Sequence, residues 1–270
     1  MAASAPTKDS AKDASACGAL GCRFYDSPEQ ALLKVLEDKP QVLAIGEAHA
    51  QKGSESVMSA THRFREQLLP MLKTRASDLV IELMVADGSC RETQDKVAQT
   101  QKPVVEQQAK ANKSEFVLLG EASDKLGIRP HVLRPSCEDY NAVVKAGEDG
   151  VGRMLTMIAD LTANLVHNIL ERNAKVGAPD KLVLAYGGAL HNDVAPGAGR
   201  ESWSFGPKLR ERTKGHYVEL DLIVPEFIKD TDSWRSMPWY AHYQREKHGR
   251  KVVLFNPAPG SYVLVFAQSQ

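Results

Sequence analysis

The chain has 270 residues, 43% of them hydrophobic, 25% charged and 6% aromatic, and its 34 Lys and Arg balance 34 Asp and Glu at a pI near 7.1. That length and apolar content suffice for a proper core and exclude disorder of the whole chain, which needs low hydrophobicity and high net charge. Zero net charge makes no basic field for nucleic acid, and no run of about 18 apolar residues is present to span a bilayer.

Met1 to Cys22 is Ala, Ser, Lys, Asp and Gly with almost no large apolar side chain, and reads as a disordered tail before a single domain over 23–270. It lacks the apolar stretch of a signal peptide. A mature secreted protein without its leader and a cytosolic protein with a loose tail would both begin this way. Four cysteines, an even number, tilt the expectation slightly toward a periplasmic or secreted location. Cys17 and Cys22 flank a short loop, and Cys90 and Cys137 each follow a predicted strand; spacing alone fixes neither pairing.

Ser27-Pro28-Glu29-Gln30 is a helix start, with Ser as N-cap and Pro at the first helical position, and Ala31, Leu32, Val35 and Leu36 supply the apolar stripe. Gln41 to Ile45 is a short apolar run of the kind a buried strand makes. Ser54 to Leu72 reads as a helix that Pro70 kinks or ends. Leu79 to Leu83 is the second strand. Two helices follow over 94–127, with a break expected at Lys102-Pro103, and then a strand over Pro130 to Arg134. Gly152 to Arg172 is a long helix, and Leu182 to Tyr186 a strand ending in Gly187-Gly188. The alternation then stops: 217–223, 251–255 and 262–266 are strands, the last two joined by the turn Asn256 to Gly260. The expected fold is α/β, a mostly parallel central sheet flanked by helices, with antiparallel edge strands from the C-terminal part.

In such sheets ligands bind outside the carboxyl ends of the strands. The first strand ends in Gly46-Glu47-Ala48-His49, where positions two apart point to one side. The second carries Glu82 inside Val-Ile-Glu-Leu-Met, where a lone carboxylate is costly. After the fourth comes Gly187-Gly188-Ala189-Leu190-His191. Each residue has a plain structural role open to it. Glu47 can cap the following helix, and Glu82 can pair with Arg134 at the end of the third strand. Four such residues at three strand ends exceed what caps require, so Glu47, His49, Glu82 and His191 are the candidate catalytic set. Arg134 is a candidate for binding substrate carboxylate or phosphate, and Asp193 for orienting the His191 imidazole. His62, Arg63 and Arg65 are expected on a solvated flank. Trp234, Trp239, Tyr240 and Tyr243 form either a lid or the packing of a long loop.

The order Ala44-Ile45-Gly46-Glu47-Ala48-His49, then Glu82, then Gly188-Ala189-Leu190-His191, resembles the ChaN, TraB/Tiki and erythromycin esterase-like superfamily, the Gly-Glu-x-His form being closest to ChaN-type haem-binding lipoproteins. The resemblance implies an α/β fold with Glu47, His49, Glu82 and His191 at functional positions. It does not choose a function, because ChaN-like members bind haem, Tiki-like members are metal-dependent proteases and the esterases open a lactone. Ala50-Gln51-Lys52-Gly53 departs from the Asp-Asn often found after the ChaN-type motif, and the only candidate haem-ligating tyrosine, also a candidate substrate contact, is Tyr186.

The residues favour a hydrolase acting on a small molecule or peptide. In one form His49, His191 and Glu82 hold a divalent metal ion and Glu47 is general base. In the other, His49 is the base and Glu47 or Glu82 orients it. The rival is a haem or small-cofactor carrier with His49, His191 or Tyr186 as axial ligand.

Overall fold

The computed structural model describes Cys17, residues 20–85 and residues 88–269. Residues 1–16, 18 and 19 of the expected tail lie outside the described residues. The described part of that segment packs: Cys17 is fully buried, and Cys22 opens strand β1 (Cys22–Tyr25).

Seven further strands follow: β2 (Val42–Glu47), β3 (Ala76–Met84), β4 (Arg129–Leu133), β5 (Leu182–Gly188), β6 (Tyr217–Ile223), β7 (Val252–Ala258) and β8 (Ser261–Val265). All eight form one sheet in the order β1-β7-β8-β6-β2-β5-β3-β4. From β8 to β4 every neighbour is parallel, and only β7 pairs antiparallel with β8 and β1. The fold class expected from the alternation is therefore the one observed.

The apolar strands are buried on both faces, and β2 shows how. Leu43 and Ile45 enter the layer beneath α1 (Pro28–Val35), α2 (Ala60–Arg63) and α4 (Asn112–Lys125). Val42 and Ala44 point the opposite way, into the layer beneath α6 (Gly150–Lys175). Two strand neighbours, β5 and β6, hold β2 at the centre of the sheet.

Local differences have local causes. The helix expected from Ser54 begins only at Ala60, because Ser59 caps it by accepting the His62 N–H at 3.0 Å. It then widens into a π-helical turn over Phe64–Leu68 and tightens into a 3-10 turn over Leu69–Leu72, where Pro70 sits. Helix α3 (Arg91–Val105) runs through Lys102-Pro103, and the break falls three residues later. Among the helices that lack a long apolar stripe and escaped the sequence reading are α5 (Cys137–Lys145), opened by a reciprocal Ser136–Asp139 cap, and α7 (Gly206–Arg212). Both cysteine pairs are joined, Cys17 to Cys22 and Cys90 to Cys137, with Cα–Cα separations of 5.6 and 5.1 Å. No helix among the described residues is long and apolar enough to cross a membrane.

Candidate functional site

The carboxyl ends of β2, β3, β5 and β6 open onto a cavity of ≈ 800 Å³. Glu47, His49, Glu82, His191 and Asp221 all line it. Its roof is α3, through Gln94, Val97, Ala98 and Gln101, and its far wall is α6, through Met154, Leu155 and Ile158.

Glu47 continues the Leu43–Ile45 side of β2 and so turns into the core, 3% exposed. Its Oε1 meets His49 Nδ1 at 2.8 Å. Its Oε2 accepts from the Thr61 hydroxyl at 2.6 Å and the Tyr186 hydroxyl at 2.7 Å. Burial pushes the Glu47 carboxyl up, but the hydrogen bond and charge of His49, with the two hydroxyls, outweigh it and hold the group below its ordinary value. Both carboxylate oxygens are thus committed, which removes Glu47 from the general-base role and makes it the partner that fixes His49.

His49 presents the complementary case. Burial pulls its imidazole down, but the Glu47 hydrogen bond and charge, with the charge of Glu82, raise it to about 9. With Nδ1 given to Glu47, Nε2 is left for the cavity.

Glu82 lies where the β3–β4 register slips between Ile81 and Met84, an irregularity that re-aims side chains. Its Oε2 accepts the Gly188 N–H at 2.7 Å, and its Oε1 stands 3.7 Å from His191 Nε2. The carboxylate fills the space beside Gly187, where a Cβ would come within 2.3 Å of Oε2. Arg134 is not its partner: it is exposed just past β4 and lines a separate groove over that edge strand.

His191 is 4% exposed, and its Nδ1 donates to the Trp203 carbonyl at 2.8 Å. A carbonyl only accepts, so Nδ1 carries a proton, and Nε2 faces Glu82. Asp193 therefore does not orient this imidazole. It lies instead with Glu219 and Asp221 of β6, on the other side of β2.

The Tyr186 side chain is 2% exposed, packed on Phe64 and Phe116 at ring distances of 5.0 and 5.9 Å, and its hydroxyl is spent on Glu47. It is neither a haem ligand nor a substrate contact. Burial, then the Glu47 charge, raises this phenol well above its ordinary value. Arg63 is not solvated: it is 6% exposed and donates to the Ala267 carbonyl at 2.8 Å. Of the aromatic group, Trp239 is packing, 2% exposed against Phe255, whereas Trp234 reaches the cavity rim.

The metal set expected from the sequence does not converge. Among the described residues, the group of three His, Cys, Asp or Glu whose ligand atoms all come within 4.8 Å of one another is Asp193, Glu219 and Asp221. His49, Glu82 and His191 stand wider apart. The chemistry of those three, two imidazole nitrogens and a carboxylate, suits zinc, but their spacing does not.

Glu219 and Asp221 were missed by the sequence reading, although the signal that marked Glu82, a carboxylate within an apolar strand, was there in Tyr-Val-Glu-Leu-Asp-Leu-Ile. Burial pushes both up, Glu219 to about 7 and Asp221 well above its ordinary value, and the charge of a neighbouring carboxylate adds to each. Thr61 and the Trp203 carbonyl carry no such signal, since a hydroxyl and a backbone oxygen look alike everywhere.

No family model matches the chain, and comparisons with curated proteins and with solved structures also gave no match.

Proposed function

We propose that the chain is a hydrolase of small acyl substrates or short peptides, working by acid–base chemistry at the carboxyl edge of the sheet. The observation that carries this reading is the Glu47–His49 pair, whose free Nε2 faces the cavity that Glu82 and His191 share. Glu82 Oε1 and His191 Nε2 stand 3.7 Å apart, and with His191 working as its Nδ1-protonated neutral tautomer both accept from a donor shared between them. A water there is the nucleophile. It attacks the substrate carbonyl and gives its proton to Glu82, while protonated His49 donates from Nε2 to the departing group. The products are the acid and the protonated leaving group, and transfer of the proton from Glu82 to His49 resets the site. The cavity volume and apolar walls suit a small molecule or peptide side chain.

The superfamily resemblance supports the placement of the site but leaves the chemistry open. Both disulfides favour a periplasmic or secreted location. Screening p-nitrophenyl acyl esters and a fluorogenic peptide library against wild type, His49→Ala and Glu82→Gln tests the reading. Turnover lost in both variants is expected; turnover that survives both removes it. A haemin titration serves the rival, which after Tyr186 is spent has His49 and His191 as ligands. A saturable Soret shift without turnover would favour the carrier.

A further inference from the structure

We propose that Asp193, Glu219, Asp221 and the amide oxygen of Asn192 bind a hard divalent cation, Mg²⁺ or Mn²⁺, in a site beside the His49–Glu82 centre. This inference does not rest on the hydrolase reading.

Glu219 and Asp221 are two apart on β6 and share one face of the sheet. Asn192 and Asp193 come from the loop that follows β5, and all three carboxylates bring ligand atoms within 4.8 Å of one another. Their hydrogen bonds come from the Val194 N–H at 2.6 Å and the Ser261 hydroxyl at 2.9 Å to Glu219, and from the Asn192 amide at 2.9 Å to Asp221. Among the described residues, no Lys or Arg forms an ion pair with any of the three. Three carboxylates that close, one of them 6% exposed, are costly unless a cation or shared protons offset the repulsion.

Asn192 supplies the second, independent observation. It is 2% exposed, and while its Nδ2 holds Asp221, its Oδ1 is buried without a hydrogen-bond donor. An orphaned amide oxygen in such a place is rare and calls for an explanation. Gly46 shows where it points. A Cβ built there would come 2.5 Å from Asp221 Oδ1 and 2.6 Å from Asn192 Oδ1, so both oxygens press on the glycine from the same side and lie next to each other. A cation held by the carboxylate cluster at its Asp221 end would also give the Asn192 amide oxygen a partner. Every donor is oxygen, and three are anionic, which selects hard cations over zinc or copper.

The full chain, stripped with a chelator and dialysed, is titrated with Mn²⁺ and followed by loss of the free-ion electron paramagnetic resonance signal, then with Mg²⁺ by calorimetry. One saturable site is expected. Asp221→Asn should weaken it at least about tenfold, and Glu82→Gln should leave it unchanged. Asp221→Asn keeps the side-chain shape and removes a buried like charge, so the metal-free variant should melt no lower than wild type and remain readable. Asp193→Asn, on the more open member of the set, is the second variant and should also weaken binding. No saturable binding at millimolar Mn²⁺ or Mg²⁺ would overturn the proposal and assign the cluster to proton sharing. Binding lost in Glu82→Gln but kept in Asp221→Asn would overturn it too, placing the ion with the histidines.

Discussion

Two groups of buried carboxylates meet at β2, and they are shifted in opposite directions although burial acts on both alike. Glu47 sits against an imidazole and two hydroxyls, and its carboxyl is held below its ordinary value. Glu219 and Asp221 sit against each other, and theirs are raised. Desolvation favours the neutral acid in both places. The partner decides the sign, a cationic ring on one side and a second anion on the other. A carboxylate in a strand is therefore informative only once its neighbour is known.

The largest test of this contrast concerns Glu82, the part-buried carboxylate on β3, beyond β5. Glu82→Gln should cost about 10²–10⁴-fold in turnover, the scale of a lost general base, while the melting temperature stays near wild type because the Gly188 N–H still finds an oxygen. A variant that melts much earlier but keeps its turnover would make Glu82 structural. Gly187→Ala should give a loss of the same kind without altering any ionisable group, since its Cβ would displace the carboxylate from 2.3 Å away; kinetics on the two variants side by side checks this.

The next effect is on His49 itself. Glu47→Gln removes the charge that holds the imidazole protonated, so its titration, followed by nitrogen-15 NMR, should move down from about 9. Turnover that depends on His49 as acid should then lose its alkaline limb at lower pH. An unmoved titration would show that the pair does not couple.

Stability should record the same proton. His49 is raised in the folded state, so the native protein holds a proton the unfolded chain releases between about pH 6.5 and 9. The stabilisation is full below pH 6.5 and falls away as pH rises through 9, by at most about 3 kcal/mol for a shift of that size. Urea melts across this range should show the decline in wild type and a flatter profile in His49→Ala. Smallest is Tyr186→Phe, which deletes one hydrogen bond to Glu47 and should cost about 1–2 kcal/mol with little change in turnover.

Strand positions were legible because β2 and β5 open as continuous apolar runs and β3 and β6 are mainly apolar around their carboxylates, as a parallel sheet buried on both faces needs. Glu47, His49, Glu82 and His191 were legible for the converse reason, as polar groups at the ends of those runs. Their roles were not. Glu47 appeared free to act as base, and only the packing of Thr61 and Tyr186 shows both its oxygens taken. Asp193 appeared bound to His191 by proximity in sequence, but the loop after β5 turns the imidazole to the Trp203 carbonyl and the aspartate to β6. Distances along the chain do not encode which way a loop residue faces. The early helix start assigned at Ser54 failed for a simpler reason, since Ser59 offers an equally good cap five residues later.

The tether between Cys90 and Cys137 has one more consequence. Cys90 immediately precedes α3, which covers the cavity, and Cys137 opens α5 on the neighbouring layer. The covering helix is thereby anchored at its N-terminal end by a covalent bond, while the ionisable groups on the cavity floor are held by hydrogen bonds and charge pairing. Thiol reductants can address the cover without touching the floor, so any change they cause in ligand access reports on how far α3 moves, separately from the chemistry below it.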